Sequence, residues 1–427
     1  MLMQTNVIDS FTHGVKEVSS FGFEMNAMAF QAVIDGIYAD KVRAPVREYC
    51  TNAFDSHVDA GIPDKPFDVQ LPSRFDPSFR VRDYGPGMSH DQIMGLYSTM
   101  FASSKRDSNK AVGMIGLGSK SAFAYTNVFT VTSWDGATER LYSAFLGEAG
   151  VPQIALLNDR PSDAPSGIEI SFAVKAEDIG KFHRAARMTF MGFPVHPNVI
   201  NETYERDPAE TYVSGRGWRY LRGSNAISSA FARQGCVIYP IDATPLGLEW
   251  LSDQAKLLRM PFVIDFEIGD LNVATSREQL GYDARTIANI KTRLGEVATE
   301  IRAQLQAQID AQPKWLDACL YRYSLRTDAE RSISGQFEGN ISYRGRPLER
   351  AVDYVPSDWN SLVSVKKDGN THPGFHIGSP RGTLIEIGAL KKALFVVEPA
   401  GTKNGPSRMR RLMAGAQRAH RLDPRRQ

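Results

Sequence analysis

The stretch PVREYCTNAFDSHVD, Pro45–Asp59, limits what this chain can become more than any other part of it. Pro45 has the fixed φ and missing N–H that suit a first helical position, and Gly61 can stop a helix just past its end. A helix is therefore predicted here. Along it Glu48, Asn52 and Asp55 stand at i, i+4 and i+7, which at about 100° per residue puts them in one narrow polar stripe. Val46, Tyr49, Cys50 and Ala53 turn the other way, toward a core. An acid, an amide and a second acid in line suit a hydrated divalent cation or the activation of a water, although such a stripe alone is usually a solvated helix face.

Two glycine turns follow. Asp83-Tyr84-Gly85-Pro86-Gly87 comes after the strand-like Phe79–Arg82; its glycines let backbone approach a planar ligand, and Asp83 offers a carboxylate at the ligand's edge. Gly113-Met114-Ile115-Gly116-Leu117-Gly118 leads into a helical run, Ser119–Tyr125, where free backbone N–H groups suit phosphate. Either turn alone is a weak signal. Between them, Phe101–Ala111 is polar, with Lys105, Arg106 and Lys110, and has no periodic core face, so a lid is expected there.

The three blocks in this order resemble the GHKL ATPases: gyrase B subunit, the large heat-shock chaperone, sensor histidine kinases and MutL. Glu48, Asn52 and Asp55 fill that family's Glu-x-x-x-Asn-x-x-Asp box; Asp83, Gly85 and Gly87 fill its Asp-x-Gly-x-Gly box; and Gly113, Gly116 and Gly118 lie in its lid and glycine box. Asp270–Leu280 is similar to the Leu-Asn-x-Ser-Arg-Glu-x-Leu element of the chaperone's middle domain. The wording Ser104-Lys105, Gly113–Phe123 and Ala274–Glu278 is most similar to phage rIIA-type lysis-inhibition proteins.

The resemblance implies an ATP-binding and ATP-hydrolysing switch that uses Mg²⁺. Glu48 is expected to be general base on the attacking water, Asn52 the Mg²⁺ ligand, and Asp55 to lie at the edge of the base or in the cation's second shell. Asp83 is expected to accept the adenine amino hydrogen, with Met88 packed on the base. Lys105 and the N–H groups of Gly116, Leu117, Gly118 and Ser119 are expected to hold phosphates, with Lys120 a further candidate. Arg277 is expected to reach the terminal phosphate from a second domain; a surface salt bridge is the competing explanation. One departure concerns the base: Gly167 is followed by Ile168, where the family has threonine, and Ser166 or Ser171 is the candidate replacement.

The expected fold class is α+β: a GHKL, or Bergerat, ATP-binding α/β sandwich over 1–180, a smaller α/β transducer-like domain over 181–312, a C-terminal α/β region over 313–400 and a basic tail over 401–427. The length of 427 residues fits two or three domains, and 42% hydrophobic with 23% charged residues reads as ordinary globular protein. Helices are expected at Met25–Ile34, Met88–Met100, Lys175–Phe190 and Ala284–Ile309; strands at Phe67–Leu71, Phe79–Arg82, Val128–Ser133, Arg140–Phe145, Gln153–Leu157, Gly167–Val174, Gly235–Tyr239, Phe262–Phe266, Leu384–Ile387 and Ala393–Val397.

Cys50, Cys236 and Cys319 are too dispersed for a disulfide framework or metal knuckle, which points to a reducing cytoplasm; no apolar run reaches a membrane span and no export signal is recognisable. A homodimer and a protein client are expected partners beside ATP. The tail, with Lys403, Arg408, Arg410, Arg411, Arg418, Arg421, Arg425 and Arg426 against Asp423, suits nucleic acid or an anionic membrane surface, or a solvated end. A sensor kinase lacks support, because His13 stands in loop-like sequence and not on a dimerising helix. A nucleotide-binding scaffold without hydrolysis and a DNA-processing MutL- or gyrase-like ATPase stay open.

Overall fold

The computed structural model describes residues 26–98, 117–200, 204–274, 278–327, 337, 341–348, 351–353, 362–366, 374–378 and 384–386. The chain is α+β and divides into two compact units, Met1–Val297 and Ala298–Gln427. The segments expected as nucleotide and transducer-like domains thus fall within one unit as far as Val297.

The first unit begins with α1 (Ala27–Ile37), capped by the Asn26 side chain on Ala29 N–H, and α2 (Arg43–Asp59). Strands β1 (Asp68–Gln70) and β2 (Ser78–Arg82), helix α3 (His90–Ser98), and strands β3 (Val128–Asp135), β4 (Thr138–Leu146), β5 (Pro152–Pro161) and β6 (Gly167–Ala173) follow. After them come α4 (Ile179–Phe190) and the short strand β7 (Asn198–Val199). These strands form one seven-stranded sheet in the order β5-β4-β3-β6-β2-β1-β7, antiparallel except where β7 runs parallel to β1.

Alternation decides which sheet face is covered. Phe79, Val81, Val131, Ile170 and Phe172 are buried, and rings join them to the helices: Phe79 and Phe172 to Phe182 of α4 at 5.4 and 6.0 Å, and Phe129 to Tyr49 of α2 at 6.4 Å. Burying each large apolar side chain there contributes about 1.5–3 kcal/mol. Arg80, Arg82, Glu169 and Ser171 take the alternate phase, on the opposite face.

A second sheet, in the order β11-β10-β12-β9-β8, is built from β8 (Glu210–Gly215), β9 (Trp218–Arg222), β10 (Phe231–Gln234), β11 (Val237–Pro240) and β12 (Phe262–Phe266), with α5 (Asp253–Leu258) before the last of these. The hairpin β13 (Asn272–Val273) and β14 (Leu280–Gly281) then leads to α6 (Ala284–Asp310). In the second unit, α7 (Trp315–Thr327) supplies Ala318 and Cys319 to a small core with Ile309, Tyr343 and Leu348.

Several expectations shift on contact with this architecture. The run after the third glycine block is a 3₁₀ helix, Gly118–Ala124, and Lys175–Phe190 splits into a 3₁₀ turn, Ala176–Asp178, and α4. Gly235 lies at φ +64, so it turns the hairpin and the strand starts at Val237. The expected strand at Ala393–Val397, and the tail, lie outside the described residues. The three cysteines are buried and none is in a disulfide. Among the described residues no helix is long and apolar enough to cross a membrane.

Candidate functional site

Eleven of the 17 residues of α2 are buried, including the charged Arg47, Glu48 and Asp55, so its polar stripe is not a solvated face. Charges are taken out of water only where partners meet them. Arg47 Nε donates to Glu48 Oε1 at 3.1 Å, with both side chains 2–3% exposed. The other carboxylate oxygen faces the third glycine block. A Cβ placed on Gly118 would lie 2.7 Å from Glu48 Oε2 and 3.7 Å from Asn52 Nδ2, so a larger residue here would displace the Glu48 carboxylate.

The residues between the stripe positions hold the turns in place. Tyr49 OH donates to Ser119 O and accepts from Ala122 N–H, each at 3.1 Å, which fastens the 3₁₀ helix to α2; burial pushes its phenol well above the ordinary range. At the other end, Ser56 Oγ donates to Asp83 Oδ1 at 3.1 Å, and Gly85 N–H donates to the same oxygen at 2.9 Å. A side chain on Gly85 would strike Ser56, whose carbonyl lies 3.0 Å from the Cβ position.

His57 completes this clamp from inside the core. Its Nε2 accepts Tyr84 N–H at 2.8 Å, so the proton sits on Nδ1, which donates to Lys65 O at 2.9 Å. Asp83 is 6% exposed, and burial pushes its carboxyl up against the opposing effects of Gly85 N–H and the Ser56 hydroxyl. Among the described residues no donor meets its Oδ2.

Met88 is half-buried and tied by its backbone to Ser133: its N–H donates to Ser133 Oγ at 3.0 Å, and that hydroxyl donates to Met88 O at 2.7 Å. Gly87 sits at φ +76 against the Trp134 carbonyl, and Gly167 at φ +136 against the Asp83 carbonyl. These two glycines therefore serve the crossing of the chain with itself. Asp55 is buried one residue before Ser56.

Leu117 is buried and begins the described part of the third block; Lys105, Gly113 and Gly116 lie outside the described residues, as does Arg277. Glu278, the next residue after Arg277, accepts Asp40 N–H at 3.0 Å, at the turn that opens α2. Lys120 is 1% exposed; its Nζ donates to Leu96 O of α3 at 2.8 Å and stands 5.7 Å from the Tyr97 ring. Burial pushes this amine down to about 8 from an ordinary 10.5.

Between those two values an unfolded chain keeps the Lys120 proton that the folded chain has lost, so stability contributed here rises with pH from about 8 to about 10.5. Lys120→Met removes this dependence. Urea unfolding at pH 7 and 9.5 should show wild type gaining about 2 kcal/mol relative to the variant; a difference that does not change with pH overturns the assignment.

Several residues of the site were not singled out from sequence. Ser56 stands at i+8 from Glu48, on the same stripe, and that spacing is the signal for it. Ser133 is inward-facing and pairs cross-strand with Ile168, so a hydroxyl stands beside the position where the resemblance expects threonine. Ser171 has the outward phase of β6, away from α2, while Ser166 is half-buried beside Gly167. Tyr49 reads from sequence as core alone, and nothing in its spacing reveals its phenol's partners. Among the described residues no cluster of His, Cys, Asp or Glu side chains suits a metal by itself. Compared with known proteins, the chain matches no family model and no curated sequence.

Proposed function

We propose that α2 and the two glycine turns form a GHKL-type ATP site, and that the chain is an ATP-hydrolysing conformational switch of the rIIA type. The observation that carries this reading is the rest of Gly118 on Glu48 Oε2 and Asn52 Nδ2, which joins the first and third sequence blocks. The Ser56–Asp83–Gly85 bonds join the second block to the same helix.

The donor set fits the nucleotide and its cation. Asp83 Oδ2 is free of described donors and can accept an exocyclic amine, while Oδ1 is held by two protein groups that fix the carboxylate plane. Mg²⁺ is ordinarily bound by few protein oxygens plus substrate phosphates, so Asn52 suffices as its protein ligand, and the cation would neutralise phosphate charge. Glu48, held at Oε1 by Arg47 and facing Gly118 with Oε2, would take a proton from water. Arg277 is assigned to the terminal phosphate; the Glu278 bond to Asp40, which returns the neighbouring residue to the start of α2, supports this.

Adenine recognition is tested by Asp83→Asn, which keeps the shape and an acceptor for Gly85 N–H but places a donor where Oδ2 was. ATP affinity should fall about 10- to 100-fold, with loss of preference over GTP. A full chain that binds no ATP in the presence of Mg²⁺ overturns the proposal. The buried Arg47–Glu48 pair favours one other reading, a scaffold that holds nucleotide without cleaving it, because the carboxylate already has a cationic partner.

A further inference from the structure

A cleft lies in the first unit, where the end of α4 meets the chain that enters β8 and β9, and it shares no residue with the nucleotide site proposed above. Its volume is about 260 Å³, and Arg187, Arg206 and Arg219 line it. Phe190, His196 and Tyr204 form one wall in mutual ring contact: centroids are 5.3 Å apart for Phe190–His196, 5.9 Å for Phe190–Tyr204 and 6.0 Å for His196–Tyr204.

The charge balance of this cleft is uneven. Asp207 is the one carboxylate among the lining residues, and three backbone N–H groups already occupy it: Ala209 on Oδ1 at 2.9 Å, and Asn225 and Ala226 on Oδ2 at 3.0 and 2.8 Å. Arg219 donates to Met191 O at 2.7 Å, and the nearby Asp265 is taken by Arg233 through two bonds of 2.7 and 2.6 Å. Among the described residues no carboxylate pairs with Arg187 or Arg206. Burial, and then the Arg206 charge, push the His196 imidazole below its ordinary range, so it adds wall and no further charge.

Guanidinium groups unmatched by acids beside an aromatic wall suit an oxyanion carried on a flat ring, through charge-assisted bonds at one end and stacking at the other. The volume falls below the usual range of about 300–1,000 Å³ for ligand pockets, which fits a single ring with one acid group. We propose that this cleft binds a small aromatic phosphate or carboxylate, separately from the ATP site.

Isothermal titration of the full chain with phenyl phosphate, benzoate and inorganic phosphate tests this, and the stronger of the first two names the acid. Phenyl phosphate or benzoate should bind at least about tenfold tighter than inorganic phosphate, and Arg206→Gln or Arg187→Gln should weaken that binding about tenfold or more. Arg206 is exposed, so its replacement is compatible with an intact fold, which circular dichroism verifies. The same titration with Asp83→Asn, whose ATP affinity is expected to fall, should match wild type, which separates failure here from failure of the ATP reading. Absence of binding by both aromatic anions, equal binding of inorganic phosphate, or affinity unchanged in both arginine variants would overturn the proposal.

Discussion

Glu48→Gln is expected to cut phosphate release from ATP by about 100- to 10,000-fold, the usual contribution of a positioned general base, while nucleotide affinity stays within about threefold of wild type. The choice of glutamine follows from the structure. Arg47 Nε lies 3.1 Å from Glu48 Oε1, with both groups buried, and an amide oxygen can still accept that bond. Alanine would strip the buried guanidinium of this carboxylate, at a cost of about 3–5 kcal/mol, and confuse folding with catalysis. Phosphate release and ATP binding measured on the same preparation decide the matter. Unaltered hydrolysis in the variant would remove Glu48 from the chemistry, and a wild type that binds ATP but releases no phosphate would leave the scaffold reading.

The second large effect concerns folding and not catalysis. Gly87→Ala should lower stability by about 2–5 kcal/mol, combining the strain of a left-handed backbone with overpacking against a rigid neighbour. Gly87 has φ +76, and an added Cβ would run into the Trp134 carbonyl group, whose carbon is 3.0 Å away. No side-chain rotation can relieve a collision with a strand's own carbonyl. The midpoint of urea unfolding measures it, and a loss below about 1 kcal/mol would show that the turn can yield. By contrast Gly118 has no positive φ, and its added Cβ would press on the Glu48 carboxylate, so substitution there acts on the candidate site first.

Local pattern made much of the first unit legible. Alternation in Phe79–Arg82 and in Gly167–Val174 marked β2 and β6, which pair with each other, because a strand's period of two survives any tertiary context that buries one face. Pro45 and Gly61 bracketed α2 almost to its observed limits, Arg43–Asp59. Strands β8, β9 and β10 went unrecognised, since β8 is largely exposed and carries no clean alternation. Helix α7 was equally hidden, its partners coming from the distant Tyr343 and Leu348.

The site divides along the same line. Helical spacing alone, at 3.6 residues per turn, sufficed to align Glu48, Asn52 and Asp55, and the residue types named the chemistry they suit. That this stripe is buried, that Gly118 rests upon it, and that Tyr49, Ser56 and His57 clamp the two glycine turns to the same helix were settled only when α2 packed under the sheet. Those contacts span up to 73 residues of chain, as between Tyr49 and Ala122. Hydrogen bonds and close approaches between such distant positions depend on where packing brings the backbone, which no local periodicity encodes.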